Sequence, residues 1–108
     1  KIVAYIRLPL NVKEVFDKQL YEVSSAIQKK PDWVITKVFT EEIGGLNTNI
    51  SPVLENCLKY CQTHQISVIA IRDRTRISRF IPTYKTVINS FKEQGIKFWS
   101  CIDKEFLN

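Results

Sequence analysis

The residues best suited to chemistry in this chain are its arginines, and they are segregated. Arg72, Arg74, Arg76 and Arg79 fall within one octapeptide, Arg7 stands alone near the start, and every other basic residue apart from His64 is a lysine. Guanidinium is a planar fork that grips phosphate through two parallel hydrogen bonds and keeps its proton, whereas lysine is a solvated point charge. Each arginine group follows a short apolar run, Ile2–Ile6 in one case and Ile66–Ile71 in the other. Both runs read as buried strands. All five arginines then stand at the carboxyl ends of two strands, the edge at which open α/β sheets bind ligands. Phosphate is the ligand this implies. If Arg7 converges on Arg76 and Arg79, the set also suits phosphoryl transfer, which proceeds chiefly by charge stabilisation from preplaced donors. The bland alternative is a solvated basic loop.

The elements that must position these side chains follow from the hydrophobic pattern. Residues 1–7 are apolar on both faces, as in a central strand of a covered parallel sheet. Asn11 and Glu14 form a helix-opening box, and Val12, Phe16, Leu20, Val23 and Ile27 recur at steps of three and four through about residue 29. Asp32–Phe39 alternates as a strand near the sheet edge. Thr40–Asn49, with Gly44-Gly45, reads as a mobile loop. Ser51-Pro52 opens a second helix with the stripe Leu54, Cys57, Leu58 and Cys61. After the third strand, Pro82 starts a helix with the stripe Tyr84, Val87, Ile88 and Phe91, which Gly95 ends. Lys97–Ile102 is the fourth strand. This alternation is the grammar of a doubly wound α/β domain with strand one beside strand three.

At 108 residues the chain is read as a single domain, with 44% hydrophobic and 25% charged residues giving no signature of disorder. A net charge of +5 favours polyanions modestly. No apolar run approaches the ~20 residues of a membrane span. Three cysteines without scaffold spacing fit reduced thiols in a cytoplasmic setting. Cys57, Cys61 and His64 share a helical face, yet with no fourth ligand they read as buried thiols and a helix-end histidine rather than a metal site. No metal or other cofactor is expected. Glu41-Glu42 reads as one arginine-facing and one solvated carboxylate. Tyr84, Phe91, Phe98 and Trp99 read as core.

The run Ile66-Ser-Val-Ile-Ala-Ile-Arg-Asp-Arg-Thr-Arg-Ile-Ser-Arg79 resembles the segment of the serine recombinases (resolvases, invertases and phage integrases) that ends in Asp-Arg-Leu-Ser-Arg. Tyr5-Ile6-Arg7 is similar to that family's Tyr-x-Arg-x-Ser, Phe16-Asp-Lys-Gln19 to its Leu-x-x-Gln, and Phe39-Thr-Glu41 with Gly44-Gly45 to its Phe-x-Asp and Ser-Gly. The resemblance spans most of residues 1–102. It implies a three-layer resolvase-like fold, with helices on both faces of a mostly parallel sheet of four or five strands. It also implies DNA as partner, dimers and tetramers in the full-length family, and metal-free strand exchange through a phosphoserine. By the same resemblance Arg7, Arg76 and Arg79 surround the scissile phosphate, Tyr5 and Gln19 support that pocket, and Arg72 and Arg74 contact DNA.

The departures matter as much. Pro9 occupies the nucleophilic serine's position, and proline has no hydroxyl with which to attack phosphorus. Ile50 falls near a family arginine, Gly44 replaces a serine, Glu41 an aspartate, and Thr75 the aspartate before Arg76. The sequence stops at Asn108, before the long dimerisation helix and the separate DNA-binding domain that the family carries. The expectation is therefore a recombinase domain that does not cleave DNA. Two alternatives stay open. One is a non-enzymatic DNA-binding or oligomerisation module that modulates an active relative, and the other an unrelated α/β domain that holds a phospholigand.

Overall fold

Seven consecutive buried residues, Ile2–Leu8, make β1 the axis of the molecule. The computed structural model describes residues 1–8, 13–42 and 51–108. After β1 come α1 (Lys13–Gln28), β2 (Ile35–Glu42), α2 (Pro52–Thr63), β3 (Val68–Ile71), a single 3-10 turn over Arg74–Arg76, α3 (Ile81–Glu93), β4 (Lys97–Ser100) and β5 (Glu105–Phe106). The strands form one sheet in the order β2-β1-β3-β4-β5, parallel except for β5. Strand one does lie beside strand three, with Val3 opposite Ile69 and Ala4 opposite Ala70.

Both faces of β1 are covered, which is why its residues are apolar throughout. Val3 and Tyr5 point into a core shared with Leu54, Cys57 and Cys61 of α2 and Val87 and Phe91 of α3. Ile2 and Ala4 point the other way, into a core with Val23 and Ile27 of α1, Ala70 and Trp99. Helices on both faces of a mostly parallel sheet make the three-layer α/β architecture expected. The aromatic assignment holds for Phe91 and Phe98, which are fully buried, and nearly so for Trp99, while Tyr84 packs half-buried at the rim.

Helix α1 departs from its apolar pattern in an informative way. Its most buried positions are Gln19, Val23 and Ile27, whereas Phe16 and Leu20 are half-buried. A glutamine thus sits deeper than the neighbouring aromatic and leucine side chains. The expected opening box of Asn11 with Glu14 lies outside the described residues, as does Val12. Helix α2 begins as anticipated, with Ser51 accepting a hydrogen bond from the Leu54 amide at 2.9 Å. Caps of this kind contribute about 1 kcal/mol.

Three boundaries need correction. The second strand runs from Ile35 to Glu42, not from Asp32 to Phe39. Alternation alone hid its carboxyl end, because Thr40, Glu41 and Glu42 are polar yet pair with Ile6, Arg7 and Leu8. The first three residues of the expected Thr40–Asn49 loop are therefore strand, and residues 43–50 lie outside the described set. Ile66 was read into the third strand but instead closes α2, its amide bonding the Cys61 carbonyl at 2.8 Å across Gln65 at φ 57°. Gly95 ends α3 by the same device at φ 79°, Ile96 bonding Phe91 at 2.9 Å. Finally, the fourth strand stops at Ser100, and residues 101–104 turn the chain back into the short antiparallel β5.

Candidate phosphate-binding site

The sheet's carboxyl edge gathers the expected side chains into two groups, one on each face. On the α2 face, the period-two alternation that buries Val3 and Tyr5 also carries Arg7, which is 2% exposed. Its register partner is Glu41. Arg7 Nη2 lies 3.6 Å from Glu41 Oε1, and Arg7 Nε donates to the Tyr5 hydroxyl at 3.3 Å. Tyr5 in turn donates to Glu41 Oε1 at 2.6 Å. Burial first, and the bond to Glu41 second, push the Tyr5 hydroxyl well above its ordinary range, with Arg7 and Ser51 acting in the opposite sense. Tyr5 is therefore a neutral donor here. One carboxylate faces arginine and one is solvated, as expected, and the structure makes Glu41 the former and Glu42 the latter.

On the α1 face, Val15, Lys18, Gln19 and Glu22 line a cavity of about 180 Å³ together with Arg72 and Arg76. Asp73 organises its floor. The Asp73 carboxylate accepts from the Thr75 amide and hydroxyl, opening the 3-10 turn, and from Arg72 Nη1 at 2.6 Å. It also lies 3.7 Å from Arg76 Nε. Burial alone would raise this carboxyl, but the bonds from Thr75 and Arg72 and the charge of Arg76 hold it below its ordinary value. Arg72 is bound a second time, Nε donating to Glu22 Oε2 at 2.9 Å. Desolvation depresses the Arg76 guanidinium, Asp73 opposes that shift, and the charges of Arg72 and Arg79 reinforce it.

The expected residues are thus distributed unevenly. Gln19 joins the two groups, since it lines the cavity and its Nε2 donates to the Arg7 carbonyl at 3.0 Å. Arg79 is exposed but close enough to act on Arg76, whereas Arg74 is exposed and acts on Tyr84 of α3 instead. Arg72 is held by two carboxylates. Sequence reading passed over Glu22 and Asp73 as members of the site, although Asp73 sits between two of the arginines that mark it. It read Ser51 only as a helix cap, yet the residue is buried beside Tyr5. Pro9, Gly44, Gly45 and Ile50 lie outside the described residues.

One feature unites the two faces. Among the described residues, the buried side-chain polar atoms without a hydrogen-bond partner are Arg7 Nη1, Gln19 Oε1 and Arg76 Nε. Such atoms cost free energy unless something completes them, and all three belong to the residues singled out from the sequence. The Cys57–Cys61–His64 face offers nothing comparable. Both thiols are in the core, and His64 caps α2 through the Tyr60 carbonyl while stacking on the Tyr60 ring.

A family model for the resolvase N-terminal domain matches residues 2–106. The chain belongs to that family. Its fold is similar to the catalytic domain of TP901-1 integrase, with a TM-score of 0.79 and 16% identity over 98% of this chain and 81% of that one. It is also similar to the catalytic domain of ISC1926 TnpA, an IS607-like serine recombinase, with a TM-score of 0.78 and 22% identity over 93% of this chain and 69% of that one. A resolvase-family site-specific recombinase from Streptococcus pneumoniae matches at a TM-score of 0.64 and 13% identity, over 99% and 76% of the two chains. Comparison with curated proteins yields no match. Among the described residues of this resolvase-family domain, no helix is long and apolar enough to cross a membrane.

Proposed function

We propose that this domain binds DNA as a serine-recombinase catalytic domain does, gripping a backbone phosphate at the carboxyl edge of its sheet, but does not break the strand. The observation that carries the reading is the pair of buried guanidinium nitrogens, Arg7 Nη1 and Arg76 Nε, that lack a hydrogen-bond partner among the described residues, although Arg76 Nε has Asp73 3.7 Å away. A phosphodiester oxygen would complete both with charge-assisted hydrogen bonds. Gln19 is a positioning residue in this scheme. Its amide fixes the Arg7 main chain, and its free Oε1 is an acceptor suited to a hydroxyl rather than to the anion. Tyr5 and Glu41 fix the Arg7 fork on the other face, and Arg79 adds positive potential from the rim.

Strand cleavage in this scheme fails for want of a nucleophile. Pro9 stands where the resemblance puts the serine, and an arginine cradle stabilises charge without supplying the attacking oxygen. Tyr5 is no substitute. Its hydroxyl is buried and already committed as a donor to Glu41, and its raised pKa makes the phenolate scarce at neutral pH. Suicide DNA substrates, which trap covalent intermediates, test this directly. The expected result is salt-sensitive binding with no protein–DNA adduct, and any adduct formed by the unmodified chain would overturn the reading. Loss of binding in Arg76→Ala tests the phosphate grip separately from the chemistry.

A further inference from the structure

Helix α1 carries a second cavity on the face that lines the arginine pocket. Positions 15, 18, 19 and 22 serve the arginine pocket, and positions 26, 29 and 30 serve a cavity of about 250 Å³ with Trp99, Cys101 and Lys104. Positions 15, 18, 19, 22 and 26 fall on one stripe of the helix at a period of 3.6 residues, and Lys29 and Lys30 follow in the turn just beyond its end. Lys29, Lys30 and Lys104 put three ammonium groups around this second cavity. None of them forms an ion pair with a described residue, and no carboxylate lines the space.

Two further observations separate this from an ordinary solvated lysine face. Lys30 Nζ is held 3.9 Å from the centre of the Trp99 ring and 5.0 Å from that of Trp33, in a cluster with Phe106. Its charge is thereby fixed beside the cavity. Lys104 adopts φ 56°, a left-handed conformation that glycine or asparagine takes far more readily. The chain keeps a lysine at a backbone position that disfavours it, at the mouth of a cavity already lined by two others.

We infer that this lysine–tryptophan cavity is a second phosphate-binding site, built to hold a phosphate group of a nucleic-acid strand whose neighbouring phosphates reach the arginine pocket. Three ammonium groups with no carboxylate partner among the described residues select an anion, and a cavity of about 250 Å³ has room for a phosphate group. The identity of the strand rests on the function proposed above, whereas the affinity for phosphate rests on this cavity alone.

The chain has two tryptophans, Trp33 and Trp99, and both lie in this cluster, so intrinsic fluorescence reports on it selectively. Titration with pyrophosphate, with a nucleoside diphosphate and with a short single-stranded oligonucleotide should each give a saturable fluorescence change. Lys104→Gly relieves the backbone conformation, so it should leave the fold as stable or more so. Combined with Lys29→Gln it should weaken pyrophosphate binding about tenfold or more. In Arg76→Ala the pyrophosphate response should persist while oligonucleotide affinity falls. No change in the unmodified chain, or a response indifferent to the lysine substitutions, overturns the proposal. So does a pyrophosphate response abolished by Arg76→Ala, which would place the anion in the arginine pocket. Tight binding of pyrophosphate and diphosphate without oligonucleotide binding would overturn the strand assignment.

Discussion

The two ends of α1 face the same problem, how to hold positive charge against a protein surface, and solve it differently. At the arginine end the cations have carboxylates at hand: Glu41 beside Arg7, Glu22 and Asp73 on Arg72, Asp73 beside Arg76. At the lysine end the cations meet ring faces and solvent, and no carboxylate lines the cavity. The difference follows from the side chains. A guanidinium can be buried because its fork is satisfied by planar acceptors, so an arginine site can be rigid and dry. An ammonium keeps its water, so a lysine site stays open and adaptable. On the function proposed above, the arginine end would place one phosphate in a defined geometry, and the lysine end would attract charge without specifying its orientation.

The sharpest way to break this contrast is to remove a carboxylate from the arginine end. Glu41→Ala leaves Arg7 buried without its anion and deprives Tyr5 of its acceptor. Removing one partner of a buried pair typically costs 3–5 kcal/mol, and at a separation of 3.6 Å we expect a loss of about 3 kcal/mol. Urea denaturation should show it as a lowered midpoint at constant slope. Lys29→Gln, an exposed substitution at the other end, should change stability by less than about 0.5 kcal/mol. Equal losses would mean that the two ends are not differently built.

Binding should show the next largest effect. Arg76→Ala should weaken association with DNA about tenfold, as expected for loss of a charged hydrogen bond, and reduce the salt slope by about one. Fluorescence anisotropy across a salt series measures both. Lys29→Gln should change the slope similarly but the affinity at physiological salt less, because its ammonium is exposed and unspecific in geometry.

How much of this was legible beforehand depended on the kind of signal. The layers, the strand order and the central place of β1 were readable because apolar periodicity and the punctuation of Ser51-Pro52 and Gly95 agreed with each other. The end of β2 was not. Thr40–Glu42 is strand because its backbone pairs with β1 and Glu41 answers Arg7 there, and a partner about 35 residues away leaves no local trace. Gln19 was picked out by resemblance, but its burial below Phe16 and Leu20 could not be read from helical period, which ranks side chains by apolarity. Glu22 and Asp73 were invisible as site members because a carboxylate near arginines looks the same on a solvated face. The lysine cavity leaves no local signal because its residues come from two distant segments, 26–30 and 99–104, and only the approach of the end of α1 to the β4–β5 turn brings them together.

Glu22 offers a finer test, because it is the carboxylate that α1 contributes to the arginine pocket. Glu22→Gln should release Arg72 from one of its two partners. The pair is partly exposed, so its loss should cost at most about 1 kcal/mol of stability. DNA affinity should rise a few-fold, since a freed guanidinium lining the arginine pocket becomes available to phosphate. A fall in affinity would show that Glu22 orients Arg72 for the ligand instead of competing with it.

The smallest effect separates the ends by pH. Burial raises the Cys101 thiol, in the lysine cavity, from 9.0 to about 11, and burial also lifts the Tyr5 hydroxyl, at the arginine end, above its ordinary 10.0. In both cases the folded state prefers the protonated form. Their contribution is thus fully present below the unfolded values and is lost as pH rises through the folded ones. Stability should begin to fall near pH 9 through Cys101, with Tyr5 adding to the slope above pH 10. Lys29, Lys30 and Lys104 line the same cavity as Cys101, and an anion bound among them would oppose thiolate formation further. Thermal melts across pH 8–11 should therefore show the first part of this decline reduced in Cys101→Ala, with buried Cys57 supplying the remainder, and the later part reduced in Tyr5→Phe. Added pyrophosphate should steepen only the Cys101-dependent part, because the proposed pyrophosphate site is the lysine cavity that Cys101 lines.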